Sequence, residues 1–293
     1  MYREVKKLVQ ITLVFISLFI SNLYAWQDTG HMVVAEIAYR HLDPEIVSKV
    51  EYLISKSATD YPKNATFVTA SVWPDDIKGH KINFFNDWHY EDKHYSTDGS
   101  LVEKNNGQIV KMLKKTRELI ASDATIDAEK SFALKFFIHL TGDIHQPLHT
   151  ISRFSKETPS GDRGGNLFKL KGKSKNLHSL WDSALNSLPR VHRPLDSEGT
   201  LMLNNLADDI TTKYPKDSFT NAELAANFAD WHHEGYTIAV NRVYKEITFN
   251  SLPSTHYIND NLGVAHQQLS LAGYRLANQL NCLYKSSSCI ISE

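Results

Sequence analysis

The chain has 293 residues, with 33 acidic and 32 basic side chains, 14 histidines and a formal net charge of −1 at pH 7. That balance excludes a protein that grips nucleic acid through a broad Lys/Arg face, so any phosphate chemistry must take its positive charge from something bound. A hydrophobic fraction of 42% over this length is enough for one large core, and no Pro/Gly/Ser linker divides the chain.

The chain opens with Arg3, Glu4, Lys6 and Lys7, an apolar run over residues 8–20, and then Ser21-Asn22-Leu23-Tyr24-Ala25. Charged start, short apolar centre and small residue at the end predict an export leader over 1–25, cleaved after Ala25. The run is shorter than the roughly 20 residues of a membrane span, so no stable membrane association is expected. The mature domain is then 26–293, beginning at Trp26, in a secreted or periplasmic protein that acts as a monomer. In an exported chain the two cysteines, Cys282 and Cys289, most simply form one disulfide.

Helical signals dominate the mature chain. Asp43-Pro44-Glu45 reads as a helix start with a capping carboxylate, Pro at the first helical position and Val47, Val50 and Ile54 on the buried face. Asn64-Ala65-Thr66 is a glycosylation sequon, meaningful only on a eukaryotic secretory route. Ile109, Met112, Leu113, Thr116 and Ile120 recur at helical spacing. So do Leu203, Leu206 and Ile210, and then Leu224, Phe228, Trp231 and Ala239 in one longer helix. The cleanest stripe is Leu262, Ala265, Leu269, Ala272, Leu276, Leu280 and Leu283. Strand-like stretches are few, with Leu167–Leu170 and Ile247–Phe249 as short candidates. The predicted class is all-α, a mainly helical single domain with long loops and at most a short β-hairpin.

The apolar run Phe132–Ile138 leads into His139-Leu140-Thr141-Gly142-Asp143-Ile144-His145-Gln146-Pro147-Leu148-His149. Residues four apart share a helix face, so His139 and Asp143 point the same way. Pro147 must end the helix just before it, letting His149 fold back. One such pair would read as a core helix with a satisfied histidine. The same spacing recurs at His178 and Asp182, and the two pairs with His149 favour a metal site. Trp73-Pro74-Asp75-Asp76, Asp87-Trp88-His89-Tyr90-Glu91-Asp92 and the glycine turn Gly161–Asn166 supply further polar clusters in loops. The sequence offers no convincing Ser–His arrangement or separate carboxylate pair as a general base.

Trp26, His31, Trp73-Pro74-Asp75, His89-Tyr90, His139-x3-Asp143-x5-His149 and His178-x3-Asp182 resemble, in order and across essentially the whole mature chain, the zinc-dependent single-strand nucleases of the S-one/P-one type. Fungal members of that family are similar in fold to bacterial zinc phospholipases C. The resemblance implies three zinc ions. Asp75, His89, His139 and Asp143 would hold the first, and His149, His178 and Asp182 the second. The third would take the amine and carbonyl of Trp26 with His31 and Asp143. An α-amine has a pKa near 8 and gives up its proton to a metal at neutral pH, which a mid-chain amide does not.

The implied activity is hydrolysis of single-stranded DNA and RNA to 5′-phosphate products, with 3′-nucleotidase activity as a possible addition. Asp75 and Asp143 would stand at the catalytic centre. Lys78 would occupy the place of an Arg that steadies charge on phosphate, without the bidentate fork. Tyr90 and Asp92 would stack on and hydrogen-bond to a base. His145 would support the ligands through a hydrogen bond, and His232 and His233 would be packing or helix-surface residues. Two other readings remain open. A zinc phospholipase C has longer spacing after the terminal Trp and a Glu as last ligand, unlike His31 and Asp182 here. A non-catalytic zinc protein would saturate its metal.

Overall fold

In the computed structural model, the described residues are 26–96, 98–100 and 106–283. The predicted leader and Cys289, and with it the expected Cys282–Cys289 bridge, lie outside them. Eleven α-helices carry the described chain: α1 (Asp28–Tyr39), α2 (Pro44–Ser55), α3 (Phe67–Ala70), α4 (Trp73–Gly79), α5 (Ile109–Ala121), α6 (Asp127–Ile144), α7 (Leu177–Asp182), α8 (Ser197–Lys213), α9 (Asn221–Ala225), α10 (Phe228–Ile238) and α11 (Thr255–Leu283). None is long and apolar enough to cross a membrane.

The architecture is mainly helical, as the periodicity predicts, and α6 lies at its centre. Every residue from Ala133 to Ile144 is buried, so this helix is covered on all sides. α5 packs on it with Ile109, Met112, Leu113, Thr116 and Ile120, the stripe read from the sequence. α1 and α11 pack on each other, and α1, α2, α4 and α11 also contact α6. Each fully buried Phe or Leu of α6 contributes about 1.5–3 kcal/mol, which holds its C-terminal turn in place. The helix ends at Ile144, and a 3₁₀ turn follows over Pro147–His149, as Pro147 requires.

Several local expectations are corrected. Asp43 sits at the N-cap of α2, but its side chain makes no capping bond, and its backbone N–H donates to Asn281. Ile46 and Leu53 join Val50 and Ile54 on the buried face of α2, while Val47 is only partly buried. The expected single helix from Leu224 to Ala239 is broken: Asn227 accepts bonds from the N–H groups of Ala229 and Asp230 and starts α10 afresh. A π-helical turn, Ala239–Val243, then extends α10. Asn64 is 3% exposed and its amide donates to Thr69 and Asp76, so the sequon nitrogen is occupied.

Among the described residues the strands are β1 (Lys93–Ser96) and β2 (Ile151–Phe154), and they pair in parallel with Lys93 opposite Ile151. A parallel pair needs a crossover and cannot be a hairpin; here the crossover contains α5 and α6. Leu167–Leu170 and Ile247–Phe249 form no strand, and only isolated bridges join Lys169 to Asn176 and Leu170 to Ser251.

Candidate metal centre

The last turn of α6 brings His139 Nε2 to 3.2 Å from Asp143 Oδ2, with both side chains buried. His139 Nδ1 donates to the Ser71 carbonyl at 2.7 Å, which fixes the tautomer and leaves the Nε2 lone pair facing inward. α4 begins with Trp73-Pro74 and places Asp75 in its first turn, with Oδ1 3.7 Å from His139 Nε2. His89 follows the 3₁₀ turn Asn86–Trp88 and closes the group: its Nδ1 is 2.9 Å from both Asp143 Oδ2 and His139 Nε2.

His31 enters from α1, stacked on His139 at 3.9 Å, with Nε2 3.4 Å from Asp143 Oδ1. Gly142 makes room for it, since a Cβ there would lie 2.8 Å from His31 Nδ1. The indole of Trp26 donates to the Gly142 carbonyl at 2.9 Å, so the first residue of the predicted mature chain is buried against this turn. The next residue, Gln27, donates its N–H to the Asp182 carbonyl.

A further group forms where the 3₁₀ turn carries His149 toward α7. His149 Nδ1 donates to the His89 carbonyl at 2.6 Å, and His178 Nδ1 to the Gly164 carbonyl at 2.6 Å. Both Nε2 atoms thus face Asp182, whose Oδ2 is 3.5 Å from His178 Nε2. Gly164 has φ +60, and a Cβ on it would overlap the Leu148 carbonyl at 2.2 Å. Only glycine brings that carbonyl to His178. Gln146 holds the other side of Asp182, donating to Oδ1 at 2.6 Å.

Three buried triads can therefore hold a metal ion, with ligand atoms within 4.8 Å of one another: His31, Asp75 and His139; His89, His139 and Asp143; His149, His178 and Asp182. The fit is chemical as well as geometric. Both ring nitrogens of His31, Asp75 Oδ2, His89 Nε2, Asp143 Oδ1 and His149 Nε2 are buried without hydrogen-bond partners. An unsatisfied buried polar group costs about 1–3 kcal/mol, and a cation supplies the missing partner.

Burial, with neighbouring histidines adding to it, holds His31 and His149 well below the ordinary imidazole range. Burial does the same to His89, reinforced by Lys78. These rings are thus neutral, which is the form that binds a metal. His139 is also depressed by burial, but Asp143 and Asp75 outweigh this and raise it. Burial pushes Asp143 up to about 6, against the pull of His139, and pushes Asp182 well above the carboxylate range. A cation among these buried carboxylates would offset the cost of burying their charge and favour the ionised, ligating form.

A family model described as "S1/P1 Nuclease" matches residues 26–285. The chain belongs to the S1/P1 nuclease family. It is similar to Endonuclease 4 of Arabidopsis thaliana, 27% identical over 91% of this chain and 92% of the relative. It is also similar to Nuclease S1 of Aspergillus oryzae (24%, covering 90% and 94%) and Nuclease P1 of Penicillium citrinum (22%, covering 89% and 98%). This member of the family is accordingly a phosphodiester-hydrolysing endonuclease, and its substrate is nucleic acid.

The remaining candidate residues of this S1/P1 nuclease surround the centre. Lys78 Nζ lies 2.7 Å from Asp75 Oδ1 with its side chain 9% exposed, at the edge of the first group. Tyr90 follows His89, and burial, with Asp92 and Asp87 nearby, raises its hydroxyl. Burial and the neighbouring Asp162 push Asp92 up to about 8, so near neutrality it is a neutral acid that both donates and accepts. His145 departs from expectation: Nδ1 donates to the Thr141 carbonyl, and Nε2 accepts from Arg275, which pairs with Glu234. It braces the far side of α6 and touches no candidate ligand through these bonds. Of the two histidines read as packing, His232 bonds the Glu91 carbonyl at 2.7 Å. The supports missed from sequence are the carbonyls of Ser71, His89 and Gly164, together with Gln146. Backbone groups carry no residue signature, and only Gln146, inside the central motif, was open to notice.

Proposed function

We propose that this chain is an exported, zinc-dependent endonuclease that cuts single-stranded DNA and RNA and leaves 5′-phosphates, with 3′-nucleotidase activity at the same centre. The observation that carries the reading is the set of three buried His/Asp triads with orphaned ligand atoms in a chain of the S1/P1 family. Asp75, His89, His139 and Asp143 would hold one zinc. His149, His178 and Asp182 would hold another. Trp26, through its freed amine and its carbonyl, would hold the third with His31 and Asp143. The family match beginning at Trp26 supports cleavage after Ala25. Zinc favours imidazole nitrogen and carboxylate oxygen, and when bound it supplies a Lewis acid and a deprotonated water at neutral pH.

The protein's own residues set the geometry. Asp143, reached by His31 on one oxygen and by His89 and His139 on the other, ties two ligand groups together. The carbonyls behind His139, His149 and His178 keep those rings in the ligating tautomer. Lys78, at the rim, would meet charge developing on the phosphate. The ring of Tyr90 would stack on an unpaired base and Asp92 would bond its edge, which motivates the single-strand preference. Incubation of the exported protein with single-stranded DNA, RNA and phosphatidylcholine, with and without chelator, tests this. Cleavage of both nucleic acids, abolished by chelator, is expected. Turnover of the lipid alone, or full activity in chelator, would overturn it.

A further inference from the structure

β2 leaves His149 and carries Arg153 four residues on, at most about 13 Å of extended chain away. The returning loop ties that end of the strand to His178. Asp162 N–H donates to the Arg153 carbonyl, Arg163 N–H to Ser152 Oγ, and the Gly164 carbonyl accepts from His178. Beyond lies a cavity of about 220 Å³, lined by Arg153, Ser155, Thr158, Phe168, Thr248 and Phe249, with Glu157 and Ile247.

The lining combines two recognition chemistries. The Arg153 guanidinium lies over Phe168 at 5.5 Å and Tyr244 at 5.8 Å. A guanidinium carried on ring faces keeps its in-plane donors available for a bidentate partner. Phe249 is 38% exposed at the cavity and stands edge-on to Phe168 at 5.5 Å. Its loop is fastened to a basic segment: Asn250 N–H donates to the Lys169 carbonyl and Lys171 N–H to the Ser251 carbonyl. Lys169, Lys171, Lys173 and Lys175 are all exposed, a local positive strip on a chain with net charge −1. Glu157 alone opposes it within the lining. A free phosphate would leave the Phe249 ring unused, and an apolar molecule would leave Arg153 unused. A nucleotide uses both.

We infer that this cavity is a nucleotide subsite, taking one base on Phe249 and its phosphodiester on Arg153 from the single strand on the 5′ side of the cut. The inference rests on the proposed nuclease reading. On that reading, 5′-phosphate products require the bond to the 3′-oxygen to break, and we assign His149, His178 and Asp182 to the side of that departing oxygen, which stays with the 5′ segment. Asp162 neighbours Asp92 and donates its backbone N–H to the Arg153 carbonyl, so a segment leaving that oxygen by way of Tyr90 and Asp92 would reach Arg153 along β2. Base stacking on an aromatic ring is sequence-tolerant, so the subsite adds grip on the strand without base choice.

The test uses thymidylate substrates with one ordinary phosphodiester and phosphorothioates elsewhere, extended by four nucleotides on the 5′ side or on the 3′ side, beside the bare dinucleotide. Arg153→Ala and Phe249→Ala are each expected to lower kcat/KM on the 5′-extended substrate, relative to the dinucleotide, by about fivefold or more, the low end of one stacked base. The same variants should weaken binding of a fully phosphorothioate hexathymidylate, read by fluorescence anisotropy, by a similar factor. An unchanged ratio and unchanged anisotropy would overturn the subsite, as would an equal loss on all three substrates or a loss confined to the 3′ extension. Were the wild-type protein with zinc to cleave none of them, the nuclease reading would fall, while the anisotropy comparison would still decide whether Arg153 and Phe249 hold the strand.

Discussion

Gly142 lies inside the last turn of α6, where Gly→Ala ordinarily stabilises a helix by about 1 kcal/mol. Here the added Cβ would stand 2.8 Å from His31 Nδ1 and 3.1 Å from its Cε1, well inside van der Waals contact. His31 must retreat by roughly half an ångström or more, and overpacking of a filled core costs about 1–3 kcal/mol. Its Nε2 then leaves Asp143 Oδ1, now 3.4 Å away. In metal-free protein the helix gain offsets only part of the steric cost, leaving a net loss of about 0–2 kcal/mol, so Gly142→Ala should lower the melting temperature by a few degrees at most. In zinc-loaded protein the ring cannot retreat without giving up its ligand position. The stabilisation that zinc confers should therefore shrink, zinc content should fall toward two per chain, and turnover should drop by about 10²-fold, the cost of a misplacement near 1 Å. Differential scanning calorimetry with and without zinc, beside elemental analysis, gives the comparison. A variant that melts higher than wild type in both states, with zinc and rate unchanged, would refute the placement of His31 as a ligand.

Asp143→Asn should disturb two metals and lower zinc content more than Asp182→Asn, which touches one; equal losses by elemental analysis would contradict the shared role of Asp143. A Met retained before Trp26 converts its amine to an amide and should remove one zinc and cut turnover by orders of magnitude while circular dichroism stays helical; equal zinc and rate would exclude Trp26 as a ligand. Lys135 is 2% exposed, lies over the Trp73 ring at 4.7 Å, and is pushed by burial from 10.5 down to about 8. Its folded pKa lies below its unfolded one, so the unfolded chain binds more protons between about pH 8 and 10.5, and stability from this group rises with pH across that window. Lys135→Met should stabilise at pH 7, by up to about 3 kcal/mol, and flatten that rise; denaturant unfolding at pH 7 and 10 showing no difference between the proteins would refute it.

Much of the centre was legible because helix periodicity and one proline determine it. His139 and Asp143, and likewise His178 and Asp182, meet through the i, i+4 repeat, and Pro147 turns the chain so that His149 faces the second pair. What escaped was long-range or carried by backbone. Gly142 reads as a mild helix flaw, and only the approach of α1 shows why a side chain is barred there. The break at Asn227 was hidden by an apolar pattern that runs across it, since capping is decided by one side-chain oxygen. The β1–β2 pair joins segments 58 residues apart in register, Lys93 with Ile151, and neither segment alternates in a way that marks a strand. Asp92 was read as a base-bonding residue, but nothing in the sequence places Asp162 beside it, and that neighbour together with burial is what raises its carboxyl.

The central claim is a centre of three zinc ions completed by the processed N-terminus. Elemental analysis of the exported protein, purified without chelator and with its first residue determined by N-terminal sequencing, tests it most directly. The account predicts a chain starting at Trp26 with close to three zinc ions, and loss of nuclease activity as they are withdrawn. An active protein starting at Trp26 with a single zinc, or one that keeps full activity in strong chelator, would contradict it.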